Sequence, residues 1–155
     1  MIVKLTAYEL MQAATMGSLR QISAITKGLP DRHGFAGLGW SEHIEGSCGE
    51  LAVAKALDRY CSGSVNTFKT GGDLGANVQI RTRSRHDYEL IVRPDDRDDD
   101  MFVLVTGRSP EMTIRGWLTG AEAKRAEWMR THGNRSAAFF VPSTALRSPD
   151  SLPKS

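Results

Sequence analysis

Met101 to Thr106 reads Met-Phe-Val-Leu-Val-Thr, an almost unbroken apolar run. A strand with one face in water alternates apolar and polar side chains, so a run of this kind suits a central strand covered on both faces. Its neighbours do alternate. Val78-Gln79-Ile80-Arg81-Thr82 and Met112 to Leu118 carry the period-2 pattern of half-buried strands. Tyr88 to Val92 and Ala137 to Val141 supply two more, the last closed by Pro142, and Val65 to Lys69 is a short candidate. Turn-forming residues separate them: Thr70-Gly71-Gly72, Ser84-Arg85-His86-Asp87, Pro94 to Asp100 and Gly107 to Pro110.

Helices surround these strands. Leu10, Ala14, Ile22 and Ile25 recur at helical spacing within Ala7 to Lys27, and Thr6 with Glu9 forms a capping-box pattern before it. Gly28-Leu29-Pro30-Asp31 ends that helix, and His33 to Gly39 reads as a glycine-rich loop. A second helix runs from about Ser41 to Tyr60, with Ile44, Leu51, Ala54 and Leu57 on its apolar side. Thr119 caps a third, Gly120 to Thr131, with Glu122 three residues on and Gly133-Asn134 as its stop. The order of elements predicts an α/β or α+β domain, a central mixed sheet flanked by helices. Residues 1–147 form a single domain in this reading, with 1–40 a helical extension, 41–147 the core, and a flexible Ser/Pro-rich tail from 148 to 155.

The chain has 155 residues, 40% of them hydrophobic, enough for one domain with a real core. No apolar run reaches the length of a membrane span, and the first residues lack a signal-peptide core. The two cysteines, Cys48 and Cys61, have no zinc-site spacing and read as reduced thiols of a cytoplasmic protein. Net charge is only +2 from 20 basic and 18 acidic residues. Its distribution is uneven: Arg81, Arg83, Arg85 and Arg93 crowd one region and Asp95, Asp96, Asp98, Asp99 and Asp100 the next.

Chemistry is suggested by Glu50 on the second helix, Asp73 after Gly72, and the triplet Gln79-Ile80-Arg81. Magnesium takes oxygen ligands, commonly one or two carboxylates with waters and phosphate oxygens. Glu50 and Asp73 supply two carboxylates, Gln79 an amide oxygen and Ile80 a main-chain carbonyl. Arg81, on the same strand face as Gln79, is placed to hold a phosphate oxygen. Because arginine stays protonated, it cannot serve as a base.

This pattern resembles the PD-(D/E)XK nuclease superfamily. Glu50 matches the helical acid, Asp73 the strand acid and Gln79-Ile80-Arg81 the acid-x-Lys triplet, with Gln and Arg in place of the usual acid and Lys. Gly49 to Lys55, Arg81-Thr82, Val103 to Gly107 and Gly116-Trp117 are similar to segments of small phage-encoded members of that superfamily. The resemblance implies a restriction-endonuclease-like fold and metal-dependent cleavage of DNA in the host cytoplasm. Its catalytic residues are Glu50, Asp73, Gln79 and Arg81. Glu50, Asp73, Gln79 and Ile80 hold Mg2+ or Mn2+, and Lys69, Arg83 and Arg85 contact DNA phosphates. The alternative is a nuclease-like protein without cleavage that binds nucleic acid or a host defence protein. A homodimer is also compatible with this fold.

Simpler readings stand beside these. Glu50 alone is a solvated helix residue, Asp73 a turn residue, and Gln79 with Arg81 the wet face of an edge strand. Arg83, Arg85 and His86 alone form a charged hairpin tip, and Asp95 to Asp100 a solvated turn without calcium-loop spacing. His43 and Glu45 flank the site on the helix, with His43 expected at the surface, and Trp40, Trp117 and Trp128 are expected in the core.

Overall fold

The computed structural model describes residues 1–28, 39–59, 61, 63, 73–74 and 77–153. The expected loop at 33–38, the strand at 65–69 with Lys69, and Gly72 lie outside the described residues. The elements are β1 (Ile2–Lys4), α1 (Ala7–Thr26), α2 (Gly39–Leu57), β2 (Val78–Arg83), β3 (Leu90–Val92), β4 (Met101–Arg108), β5 (Glu111–Thr119), α3 (Gly120–Ala123), β6 (Met129–Arg130) and β7 (Ala138–Val141). The fold is α+β. A mixed four-stranded sheet has the order β1-β5-β4-β2, and a separate antiparallel sheet has the order β3-β7-β6.

As its apolar run requires, β4 lies inside the larger sheet, antiparallel to β5 and parallel to β2. Its side chains alternate between two cores. Val103 and Val105 join Val53, Ile80 and Ile114 beneath α1 and α2. Phe102 and Leu104 join Leu90, Val92, Phe139 and Val141 of the small sheet. Helices therefore cover one face of the main sheet, and a second sheet covers the other.

Two glycines bring the helical layer close. A Cβ on Gly17 would lie 2.5 Å from the Ile44 Cα, so α1 and α2 meet backbone to backbone. A Cβ on Gly49 would fall 1.9 Å from the Thr82 Oγ1, which seats α2 directly on β2. The capping box of α1 forms, with the Glu9 N–H donating to Thr6 Oγ1 at 3.2 Å and the Thr6 N–H to Glu9 Oε2 at 2.6 Å. Ala13 of α1 is fully buried in the common core, so this helix is part of the domain's main packing rather than an appendage. Asp58, at φ 53°, ends α2 in the left-handed conformation that a short polar side chain tolerates.

Three expectations need correction. First, the third helix does not extend to Thr131. Its Thr119–Glu122 capping box forms, but the helix stops at Ala123. The Lys124 ammonium is drawn back to the Asp96 carbonyl at 2.5 Å and Asp98 at 2.6 Å, and the chain passes through a 3-10 turn at Ala126–Trp128 into β6. Second, the tail is ordered through Pro153. Arg147 pairs with Trp117 through main-chain bonds of 3.0 and 3.2 Å, the Trp117 indole donates to Ser151 Oγ at 3.0 Å, and Leu152 is buried. Gly116 admits this segment, since a Cβ there would stand 2.3 Å from the Arg147 carbonyl oxygen. Third, Trp40 is exposed at 46%, whereas Trp117 and Trp128 do pack in the cores. The Ile2–Lys4 strand was not legible as an element; three residues against the β5 edge give no periodic signal.

Candidate functional site: two carboxylates near strand β2

Glu50 points from α2 into the helix layer and is 7% exposed. Its carboxylate accepts two hydrogen bonds from the Arg20 guanidinium of α1, at 2.5 and 2.8 Å. The same guanidinium reaches Ser47 Oγ at 3.4 Å, and Ser47 in turn donates to the His43 carbonyl at 2.9 Å. Helical spacing explains the meeting. Ala13, Gly17 and Arg20 fall on one side of α1, and the small residues let α2 approach closely enough for the arginine to reach Glu50.

Asp73 stands beside the edge of β2 that faces away from β4. Its N–H donates to the Val78 carbonyl at 2.7 Å, and its Oδ2 accepts the Ile80 N–H at 2.6 Å. In a strand the N–H and C=O of one residue point the same way, so the Ile80 carbonyl is directed toward that edge as well. Burial pushes both carboxyl groups above their ordinary values. For Glu50 the Arg20 hydrogen bonds oppose the rise, and the charge of Asp73 adds to it. For Asp73 the Ile80 N–H opposes the rise, with the charges of Arg81 and Arg20. The charge of Asp73 thus bears on Glu50, and that of a third residue, Arg20, which sequence reasoning missed, bears on both acids.

Gln79 does not join them. Even-numbered residues of β2 face α2, and Gln79, Arg81 and Arg83 face the other way. The Gln79 amide donates to Asp100 Oδ2 at 3.2 Å. Arg81 lies 5.1 Å above the Phe102 ring and grips Asp96 with two bonds of 3.1 Å. The expectation that Gln79 contributes a metal ligand is corrected by this alternation. Arg81 bears on Asp73 through its charge while its hydrogen bonds go to Asp96. The acidic run is likewise built into the structure: Asp96 also caps the Arg93 N–H at 2.8 Å, Asp98 meets Lys124, and Asp99 meets Arg97 at 2.7 Å.

Of the residues expected on DNA, Arg83 donates to the Glu89 carbonyl at 3.0 Å and stacks 4.6 Å from the Tyr88 ring. Arg85 pairs with Asp87 at an exposed turn. Arg83 lines a groove of about 620 Å³ at the far end of β2, bounded by the first half of α2 and by β3 and β7. Glu45, expected beside the carboxylates on the helix, is half-buried in this groove and accepts the Ser109 N–H at 2.9 Å and hydroxyl at 3.0 Å.

Glu50, Asp73 and the Ile80 carbonyl offer hard oxygens of the kind magnesium prefers, and water and phosphate commonly complete such a set. Among the described residues no group of three or more His, Cys, Asp and Glu side chains has metal-site geometry. Burial pushes the Cys48 thiol up to about 11 and raises Cys61, so neither offers a thiolate. Among the described residues no helix is long and apolar enough to cross a membrane. No protein-family model matches the chain, and neither the curated proteins nor the solved structures contain a match.

Proposed function

We propose that this protein hydrolyses phosphodiester bonds of DNA, in the cytoplasm, with Mg2+ or Mn2+ held by Glu50 and Asp73. One observation supports the reading: a buried Glu50 on α2 and a half-buried Asp73 bonded to β2 are both held above their ordinary pKa by burial, and the charge of Asp73 adds to the rise of Glu50. Desolvating two acids whose charges interact costs stability, and such arrangements concentrate at functional sites. A bound divalent ion would supply Lewis acidity and a water of lowered pKa. The chain's own residues prepare the place. The Ile80 N–H fixes the orientation of Asp73, and Arg20 supplies hydrogen bonds and a positive charge that oppose the rise of the Glu50 carboxyl. None of the nearby arginines can take a proton from water. The test is incubation of DNA with Mg2+ or Mn2+. Asp73→Asn and Glu50→Gln are each expected to lower the cleavage rate by roughly 100-fold or more. Cleavage that survives both changes, or none with either metal, removes the proposal.

A second reading has its own support. Arg20 grips Glu50 with both nitrogens, and Gln79 is engaged with Asp100. A guanidinium placed in this way can substitute permanently for a metal charge, leaving a nuclease-like protein that binds nucleic acid without cutting it. Salt-sensitive DNA binding with no cleavage under either metal would select this reading.

A further inference from the structure

The groove at the far end of β2 has a composition that the carboxylate pair does not explain. Its lining holds Arg83, Arg93, Arg108 and Arg135 and the acids Glu42, Glu45, Asp87 and Glu89. By formal charge these cancel, but two of the acids are paired with arginines outside the lining. Asp87 takes two bonds from Arg85 at 2.9 and 2.8 Å, and Glu89 takes two from Arg130 at 3.2 and 3.1 Å. Glu45 accepts the N–H and hydroxyl of Ser109. Arg85 and Arg130 thus bring two further positive charges to the rim. Arg108 is exposed and has no ion-pair partner among the described residues. Burial holds the Arg83 guanidinium below its ordinary value; the charge of Arg135 adds to this, and Tyr88, Glu89 and Glu42 oppose it. Arg83 and Arg135 line the same groove, where guanidiniums favour an anion.

The other wall is apolar. β3 and β7 bury Leu90, Val92, Phe139 and Val141 on one face and carry the cross-strand pair Ile91 and Phe140 on the other. Ile91 and Phe140 both line the groove, and His132 stands edge-on to the Phe140 ring at 4.6 Å. A site with cations on one side and flat apolar surface on the other suits a ligand that alternates phosphate with aromatic bases. Its volume of about 620 Å³ is that of a small-ligand site, too small to admit a duplex. It shares elements with the carboxylates. Gly46 in its wall lies one turn of α2 before Glu50, and Thr82 and Arg83 lie two and three residues beyond Ile80 on β2.

We propose that this groove seats a short stretch of a single nucleic-acid strand, with phosphates on Arg83, Arg108 and Arg135 and a base against Ile91 and Phe140. The choice of polymer rests on the hydrolase reading above and narrows it: the strand that reaches Glu50 and Asp73 is unpaired.

The test is fluorescence anisotropy of the full chain in EDTA, with a labelled single strand of about 12 nucleotides, the same sequence as a blunt duplex, and AMP as competitor. The single strand is expected to bind roughly ten-fold or more tighter than the duplex, and AMP to compete only weakly. R108Q/R135Q is expected to weaken strand binding by roughly ten-fold and to reduce the log–log salt slope by about 1.4, the share of two phosphate contacts. R108K/R135K is expected to keep most of the affinity. Equal or tighter duplex binding, AMP that binds as well as the strand, no strand binding, or an unaffected R108Q/R135Q each overturns the proposal. Cleavage measured in parallel separates the two claims. Groove-dependent strand binding without cleavage removes the hydrolase and leaves the groove. Cleavage of DNA that Asp73→Asn abolishes and R108Q/R135Q leaves intact does the reverse.

Discussion

The two faces of β2 have opposite characters. Toward α2 it presents Val78, Ile80 and Thr82, packed so closely that Gly49 leaves no room for a methyl group. Away from α2 it presents Gln79, Arg81 and Arg83, each held by a polar partner from the chain between Glu89 and Asp100. The buried acids belong to the first side and to the edge; the polar triplet belongs to the second. A polar-x-cation pattern therefore identifies a strand face, but the partner of that face depends on which layer covers it. Here a turn and a second sheet cover it, and the helix carrying Glu50 does not.

The largest expected effect tests the α2 side. Arg20→Ala leaves Glu50 buried without its partner, and removal of one member of a buried pair typically costs about 3 kcal/mol. Chemical denaturation should show this loss, and Arg20→Ala with Glu50→Gln should recover much of it. If the single variant unfolds like wild type, the pair is not the anchor described. Next is Gly49→Ala. Its Cβ would collide with Thr82, so α2 must shift from β2, at an expected cost of about 2 kcal/mol. A neutral result would mean that the helix and strand are not in direct contact.

Asp73→Asn should act in the opposite direction. Because the folded protein holds this carboxyl above its ordinary 3.8, the native state binds more protons than the unfolded chain between that value and the raised one. Stability contributed by the protonated form is thus present at low pH and lost as pH rises through the raised folded value. The asparagine variant can keep the bond from the Ile80 N–H without the buried charge. It should be more stable than wild type at neutral pH by about 1 kcal/mol and should lose that advantage toward pH 4. Thermal melts across this range test it; an advantage that grew as pH fell would have the wrong sign. The smallest effect tests the outer face. Gln79→Ala removes one hydrogen bond to Asp100, costing about 1 kcal/mol, and should leave metal-dependent cleavage unchanged. A large loss of cleavage would return Gln79 to the metal site.

Much of this architecture was legible from periodicity. The run from Met101 to Thr106 became the doubly covered β4, and the Thr6–Glu9 box became the start of α1. The third helix was misjudged because a capping box reports where a helix begins, while its length is set by tertiary contacts such as that of Lys124 with Asp96. Glu50 and Asp73 stand out in the sequence because acids on an alanine-rich helix and after a glycine turn are distinctive together. Arg20 was not, since a lone arginine on an amphipathic helix carries no signal until Gly17 is seen to bring the two helices into contact. The groove was only half visible. Arg83 stood in a recognisable cluster, but Arg108 and Arg135 come from distant parts of the chain and meet it only in the fold.

The central claim is that Glu50 and Asp73 jointly hold one divalent cation at the edge of β2. Titration of Mn2+ into the protein, followed by electron paramagnetic resonance of the free ion, tests it most directly. The account predicts one bound Mn2+ per chain, lost in both Glu50→Gln and Asp73→Asn and retained in Gln79→Ala. Binding that is absent in the wild type, or that survives removal of either acid, would contradict it.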